Sequence, residues 1–415
     1  MIKELHVADV GDGLCLKIFN EDNRNLMVDC GSKSSPPRAG QVFWELTRIS
    51  APDTFLLSHF HEDHFNGLAG YLANGFKRNN VKITKIYIPR IPDFSQNSKD
   101  QDDLRCFFIM MNAMSRWHRV YLEIYLAENV KEINYDGSAP DVESVFQGHE
   151  IDIGKTNYKI LWPPKCVDTE FGSQIQKTVE DYREMINGND FLRKMYDGVK
   201  EKSHVDESVA TEYHKIKHTK EMLDLTKRSK IIPHKQIDLM NERLKVIANR
   251  ISIAFCVPND MLFLGDLEPY EIGEVVEYIE RKGLNNKYVS FISPHHGTHY
   301  NEKLEKTKSI YIINSNGATN IKKLERLLHR SGRFMLNTYF AGGIQIRYYS
   351  CSILSIIGVR IYKLSIGFGR CCKCFRKIWD SRIVRYVVSI RMRDNLWAFV
   401  ASTRVRSEII KESQK

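Results

Sequence analysis

No run of about 18 uninterrupted apolar residues occurs anywhere in the 415-residue chain, so no membrane-crossing helix is expected. The opening MIKELHVADVGDG has no apolar stretch behind a charged one, and no secretory leader is expected either. Internal repeats and low-complexity tracts are missing, which sets aside repeat arrays and compositionally disordered segments. The nine cysteines (Cys15, Cys30, Cys106, Cys166, Cys256, Cys351, Cys371, Cys372 and Cys374) are scattered, odd in number and mostly set in apolar runs. That usage suits buried thiols in a reducing compartment better than a disulfide framework. The expectation is a folded, cytoplasmic protein. Its 42% hydrophobic content can fill a large core, in two domains or in one with additions.

What the chain does have is a charge asymmetry. Residues 351–415 carry 14 Lys and Arg against 4 Asp and Glu, while residues 1–350 carry 47 of each sign, so the whole net charge of +10 sits in the tail. Residues 171–250 are a second compositional block: 29 of 80 positions are charged, with helix-forming stretches and no strand signal. This reads as a helical insertion, bounded at 167–248, on the surface of a sheet domain.

Around that block the alternation of apolar and polar residues marks strands. LHVADVGDGLCLKIFN and LMVDCGS read as short hairpin strands, TFLLS (54–58) as a third strand and FNGLAGYLANGF as a helix after it. KITKIYIPR (82–90) reads as a strand, residues 102–126 as one helix, and EIDIGKTNYKILWPP as strand, turn, strand. Further strands are expected in RISIAFCV, MLFLGDL, YVSFISPHHG and SIYIINSNG, then a helix in KKLERLLHRSG, then strand again in FMLNTYFAGGIQIRYYS. No continuation of the sheets is evident beyond about residue 350.

The densest chemistry lies in SHFHEDHFNGL. His59, His61, Asp63 and His64 stand on a loop between a buried strand and a helix, where a rigid scaffold holds a loop for function. In extended backbone His59 and His61 point the same way and can grip one ion, while Asp63 and His64 can reach a second. Imidazole and carboxylate suit zinc, and also manganese or iron. Taken alone such a loop is as well explained by a chance cluster of surface histidines. Two later strand ends change the balance: Asp266 closes FLGD, and His295 and His296 stand in SPHHG.

HFHEDH, LGD and PHHG, in that order and at strand ends, resemble the metallo-β-lactamase fold. DVGDG, LMVDCGS, ILWPP, LGDLE, PHHG and NTYFAGGIQI are further similar to the hydrolase domain of the competence protein ComEC and its stand-alone relatives. The resemblance covers residues 1–350 without the insertion. It implies an α/β (α+β) four-layer αβ/βα sandwich with metals at one edge of paired sheets, followed by a basic, Cys-containing extension over 351–415. Carried over residue by residue, it implies that His59 and His61 bind a first metal, that Asp63 and His64 bind a second, and that Asp266 bridges them. His295 is favoured to complete the second metal, because it directly follows the strand. His296 would then support the ligands or give a proton to the leaving group, and Asp63 would be catalytic as well as a ligand.

Two positions depart from the family pattern. No residue evidently supplies the further histidine usually found on the first metal; His149 is the nearest in order and reads as an ordinary loop residue. Leu14 stands where relatives carry an aspartate, so Asp9, Asp12 and Asp29 read as turn-forming and strand-capping carboxylates. Elsewhere, His214 and His218 share a helical face in a lysine-rich stretch that reads as solvated surface. Cys371, Cys372 and Cys374 are too crowded for a zinc site. The insertion, which leaves and rejoins the sheet beside the motifs, is a candidate lid.

The functional expectation is a two-metal hydrolase. Water held between two divalent cations about 3.5–4 Å apart acidifies towards pH 7, giving a metal-bound hydroxide that attacks a polarised centre. A phosphodiester, as in a nuclease, is the first substrate class. A lactone, thioester or β-lactam is the second, and a non-catalytic nucleic-acid-binding or defence-type scaffold is the third. The tail mixes Arg and Lys with aromatics, a composition suited to nucleic acid or to an anionic membrane surface, or else to a poorly folded extension.

Overall fold

The computed structural model describes residues 1–76, 80–114, 119–202, 204–205, 234–338, 343–349, 359–366, 384–392 and 395–402. The sequence readings at His214, His218, Cys371, Cys372 and Cys374 lie outside the described residues.

Strands alternate their side chains between two faces, and apolar residues on both faces of a strand require cover on both sides. The first sheet begins with β1 (Ile2–Val7), β2 (Cys15–Asn20) and β3 (Asn25–Cys30) and runs on through β4 (Thr54–Leu56), β5 (Lys85–Pro89) and β6 (Asp141–Val145). The second sheet holds β7 (Glu150–Ile153), β8 (Thr156–Trp162), β9 (Ala254–Val257), β10 (Met261–Phe263), β11 (Lys287–Ile292), β12 (Lys308–Asn314) and β13 (Gly332–Asn337), in the order β13-β12-β11-β10-β9-β8-β7. On β3, Leu26 and Val28 turn towards the second sheet and Met27 turns away; on β10, Met261 and Phe263 turn towards the first sheet and Leu262 turns away. One core therefore lies between the sheets and one on the outside of each.

Helices α1 (Pro36–Ile49), α2 (Asn66–Ala73), α3 (Ser98–Met114), α4 (Leu122–Ile133), α5 (Thr169–Asn187), α6 (Asp190–Lys202) and α7 (His234–Arg250) cover the first sheet, and α8 (Pro269–Arg281) covers the second. The result is the four-layer αβ/βα sandwich that the resemblance implies.

The chain departs from the sequence reading in four places. Residues 102–126 carry two helices, α3 and α4, where one was expected. Helix α7 runs to Arg250, so the strand expected from that residue begins only at Ala254. KKLERLLHRSG forms two short 3-10 segments, Asn320–Lys323 and Arg326–Ser331. Beyond residue 350 the first sheet continues: β14 (Ile344–Tyr349) pairs with β1, and β15 (Val359–Ile366), β16 (Val384–Met392) and β17 (Asn395–Ser402) follow as an antiparallel series.

The helices between β8 and β9 are anchored to α3. Phe107 stacks on Tyr182 with ring centroids 4.4 Å apart, and Arg183 reaches Asp100 at 2.6 Å and Asp103 at 2.5 Å. Helices α5 and α6 thus belong to the outer helical layer, whereas α7 brings Asn249 to within 3.0 Å of Glu268 beside the site.

A wholly buried lysine ties β2 to α1. Lys17 Nζ donates to two carbonyls at the end of the helix, Leu46, at 2.8 Å, which also accepts the Ser50 N–H, and Ser50. Burial pushes its amine down from the ordinary lysine range to about 7. The unfolded chain holds that proton to higher pH than the folded one, so the unfolded state binds more protons above about pH 7. Stability is expected to rise with pH from 7 towards 10, at up to about 1.4 kcal/mol per unit from this residue. Urea unfolding of Lys17→Met at several pH values checks it: the variant should lose that rise.

Candidate metal centre

The parallel strands β3 to β6 and β10 to β13 end at the same edge of the sandwich. Ligand sites in such sheets form outside the carboxyl ends of the strands. His59 to His64 follow β4, Asp266 follows β10 and His295 and His296 follow β11.

Two glycines permit the close approach. A Cβ on Gly31 would lie 2.5 Å from the Asp63 carbonyl oxygen, so only glycine lets the end of β3 pass beneath the His61–His64 turn. Gly265 has φ +54°, and a Cβ there would stand 2.8 Å from the Ile253 carbonyl oxygen, so glycine lets the turn before Asp266 pass close to the segment leading into β9.

Asp266 Oδ2 is the centre of the cluster. His296 Nε2 lies 3.4 Å away, His64 Nε2 3.5 Å, His295 Nε2 3.8 Å and His59 Nε2 3.9 Å. Burial alone would raise the Asp266 carboxyl, but the surrounding histidines, His296 first, hold it well below the usual carboxylate range. Burial keeps the His59 ring well below its ordinary value and brings His61 to about 4, so both present neutral nitrogens.

Among the described residues, two groups that share His64 have donor atoms close enough to hold an ion: His59, His64 and Asp266 in one, Asp63, His64 and His296 in the other. His61 joins neither group, but its ring centroid is 4.6 Å from that of His59. The Nε2 atoms of His59, His61, His64 and His296 are all buried without a hydrogen-bond partner. An orphaned buried polar atom costs about 1–3 kcal/mol, so the gathering of three of them, on His59, His64 and His296, around one carboxylate calls for an electrophile. Neutral imidazoles with carboxylates suit divalent zinc, manganese or iron, and the residues present therefore fit such ions.

The opposite ring nitrogens are held in place. His64 Nδ1 is 2.7 Å from Asp29 Oδ2, in a pair with no exposure to solvent. Burial opposes a charge on His64, but Asp266 and Asp29 outweigh it and hold that ring well above its ordinary range. His296 Nδ1 donates to the Ser315 carbonyl at 2.9 Å, and His59 Nδ1 is 3.1 Å from Ser58 Oγ. Such outer bonds orient metal-binding histidines.

Asp29 therefore does more than cap a strand, as the sequence suggested. Its φ of +53°, rare for aspartate, turns its carboxylate to Ser58 and His64. Asp12 and Asp9 do serve turns. Asp12 accepts from the backbone of Gly317, Thr319 and Asn320; Asp9 accepts from the Gly11 amide and pairs with Arg38. His149 packs at a tilt against Phe146 and enters none of the groups.

The PHHG turn differs most from expectation. His295 and His296 both adopt left-handed backbone, at φ +45° and +57°, which interrupts the simple alternation of the strand. The inward, 5% exposed residue is His296, and it joins Asp63 and His64; His295, favoured for that position from sequence, faces His299 and Glu268.

Residues 9–99 match the family model of the Metallo-beta-lactamase superfamily, a span that includes the His59–His64 loop but not Asp266 or the PHHG turn. That match supports a metal-dependent hydrolase in general. No curated protein matches the chain. Among solved structures, the metallo-beta-lactamase fold protein YhfI from Bacillus subtilis is similar at 9% identity and a TM-score of 0.34, over 82% of this chain and 98% of that one. No helix among the described residues is long and apolar enough to cross a membrane.

Proposed function

We propose that this chain is a two-metal phosphodiesterase, a nuclease of the ComEC hydrolase type, with its site on residues 1–350 and a basic segment, 351–415, whose strands continue the first sheet. The observation that carries the metal centre is the gathering of three buried, unpartnered imidazole nitrogens, Nε2 of His59, His64 and His296, within 3.9 Å of Asp266 Oδ2. His59 and His61 would hold one ion, Asp63, His64 and His296 the other, with Asp266 between them. Divalent ions held there supply Lewis acidity and a nucleophile derived from water at neutral pH.

The protein's own part is positional. Asp29 and the Ser315 carbonyl fix the rings of His64 and His296 so that each presents Nε2 to the cleft. Ser58 spans Asp29 and His59, which keeps the loop after β4 in register with the strand beside it. Support for a phosphodiester over a carbonyl substrate comes from the ComEC-type motifs and from the excess of 14 basic over 4 acidic residues in the tail, which suits a polyanion.

The purified chain loaded with zinc or manganese is expected to cleave a generic phosphodiester and single-stranded DNA. Asp63→Ala should reduce both by on the order of 10²-fold or more. A lactone and a thioester, assayed in parallel, should turn over at background rates. Two bound metals without any phosphodiester cleavage would defeat the substrate assignment, and cleavage undiminished in Asp63→Ala would defeat the site.

A further inference from the structure

Beside the groups around Asp266 lies a third. Glu268, His295 and His299 each bring one donor atom within 4.8 Å of the others, from the turns that follow β10 and β11. His295 Nδ1 is 3.0 Å from His299 Nδ1, and His299 Nδ1 is 3.5 Å from Glu268 Oε2. The two imidazoles stand at 83° with centroids 4.0 Å apart, so nitrogen meets nitrogen and the ring faces do not stack.

The carboxylate is already oriented for this meeting. Glu268 Oε1 accepts from Asn249 Nδ2 at 3.0 Å, leaving Oε2 to face the histidines. An outer amide holding a carboxylate in this way is the usual support of a metal ligand. Two imidazole nitrogens with one carboxylate make the three-ligand set that binds zinc and leaves a fourth position open.

We propose that Glu268, His295 and His299 form a separate site for one divalent cation of the zinc class at the mouth of the cleft. The proposal rests on the reading above in one respect: His296, not His295, completes the group with Asp63 and His64. His295 is 29% exposed and is free to use its Nδ1 outward. With Nδ1 on a cation, the neutral ring carries its proton on Nε2, the atom 3.8 Å from Asp266 Oδ2. Occupation of the outer site then fixes a hydrogen-bond donor facing the inner one.

A proton on His299 Nδ1, shared between His295 Nδ1 and the Leu267 carbonyl 3.1 Å away, would hold the same groups together without a cation. Stoichiometry separates the two. The full chain, stripped of metal, is titrated with cobalt(II), bound metal is counted by equilibrium dialysis, and the ligand-field spectrum is recorded. Wild type is expected to bind one equivalent more than His299→Ala. Glu268→Gln, which keeps the side-chain shape, should bind the outer equivalent at least tenfold more weakly. Asp63→Ala should keep that equivalent while losing metal from the inner centre.

Equal stoichiometry and equal spectra in wild type, His299→Ala and Glu268→Gln would overturn the outer site, whatever the inner centre does. An equivalent lost in His299→Ala but untouched by Asp63→Ala supports it, even if the inner assignment fails. Circular dichroism of each variant shows that the fold is kept, and Glu268→Gln decides the matter should His299→Ala not fold.

Discussion

Asp266→Ala is expected to remove hydrolytic turnover by on the order of 10³-fold and to leave the chain with less than its full complement of metal. The size of the effect follows from position: the imidazole nitrogens of His59, His64, His295 and His296 all lie within 3.9 Å of one carboxylate oxygen. Alanine removes the one carboxylate shared by these four rings and strips the group of His59 and His64 of its anion, while Asp63 still serves the group with His64 and His296. Asp266→Asn retains a neutral oxygen donor and the volume of the side chain, and should fall between alanine and wild type in metal content. Equilibrium dialysis against zinc and steady-state rates on a phosphodiester give both readings. Wild-type-like rates in the alanine variant would remove Asp266 from the centre.

Asp29→Asn should lower metal affinity by about 10–100-fold while the protein remains folded. Geometry makes the amide substitution more than a loss of charge. Ser58 N–H, which can only donate, points at Asp29 Oδ1 from 2.7 Å, so the asparagine must place its oxygen there. Its NH₂ then occupies the place of Oδ2 and faces His64 Nδ1, 2.7 Å away. His64 can meet a donor only by moving its proton to Nε2, the atom turned towards Asp266. The substitution thus blocks a ligand atom from a residue that touches no metal. Isothermal titration of zinc into the metal-free variant measures the loss, and thermal unfolding shows whether the fold is kept. Unchanged affinity would mean that Asp29 holds only the loop.

The sequence made the His59–His64 loop legible because one short segment carries all its ligands, and made Asp266 legible because a carboxylate at the end of an apolar strand is conspicuous. The PHHG turn was misread in detail. Strand alternation favours the first histidine, and two successive left-handed residues send the second one inward. Asp29 read as a strand-capping carboxylate for a similar reason: its pairing with His64 depends on β3 lying beside β4, a contact between residues 35 apart. Glu268 closed the LGDLE motif without a role assigned to it, and His299 followed PHHG by two positions with no signal of its own. For the fold, many of the strands were readable from alternation and the layers from the family resemblance, whereas the break between α3 and α4 and the strands after β14 were not. The tail's basic and aromatic composition obscured strands whose pairing depends on β14.

The cleft is sewn shut at its rim before any ion arrives. Ile253 N–H donates to the Ser58 carbonyl at 2.8 Å, and Ser315 Oγ donates to the Gly13 carbonyl at 2.8 Å, each bond joining the loops of one sheet to those of the other. The donor atoms around Asp266 likewise come from both halves, so the cage exists only while the two sheets are docked. An ion that binds this cage and not the unfolded chain adds RT ln(1 + [M]/Kd) to the work of separating them. Metal supply would then act on the lifetime of the protein as well as on its turnover, making the centre a clasp between two sheets.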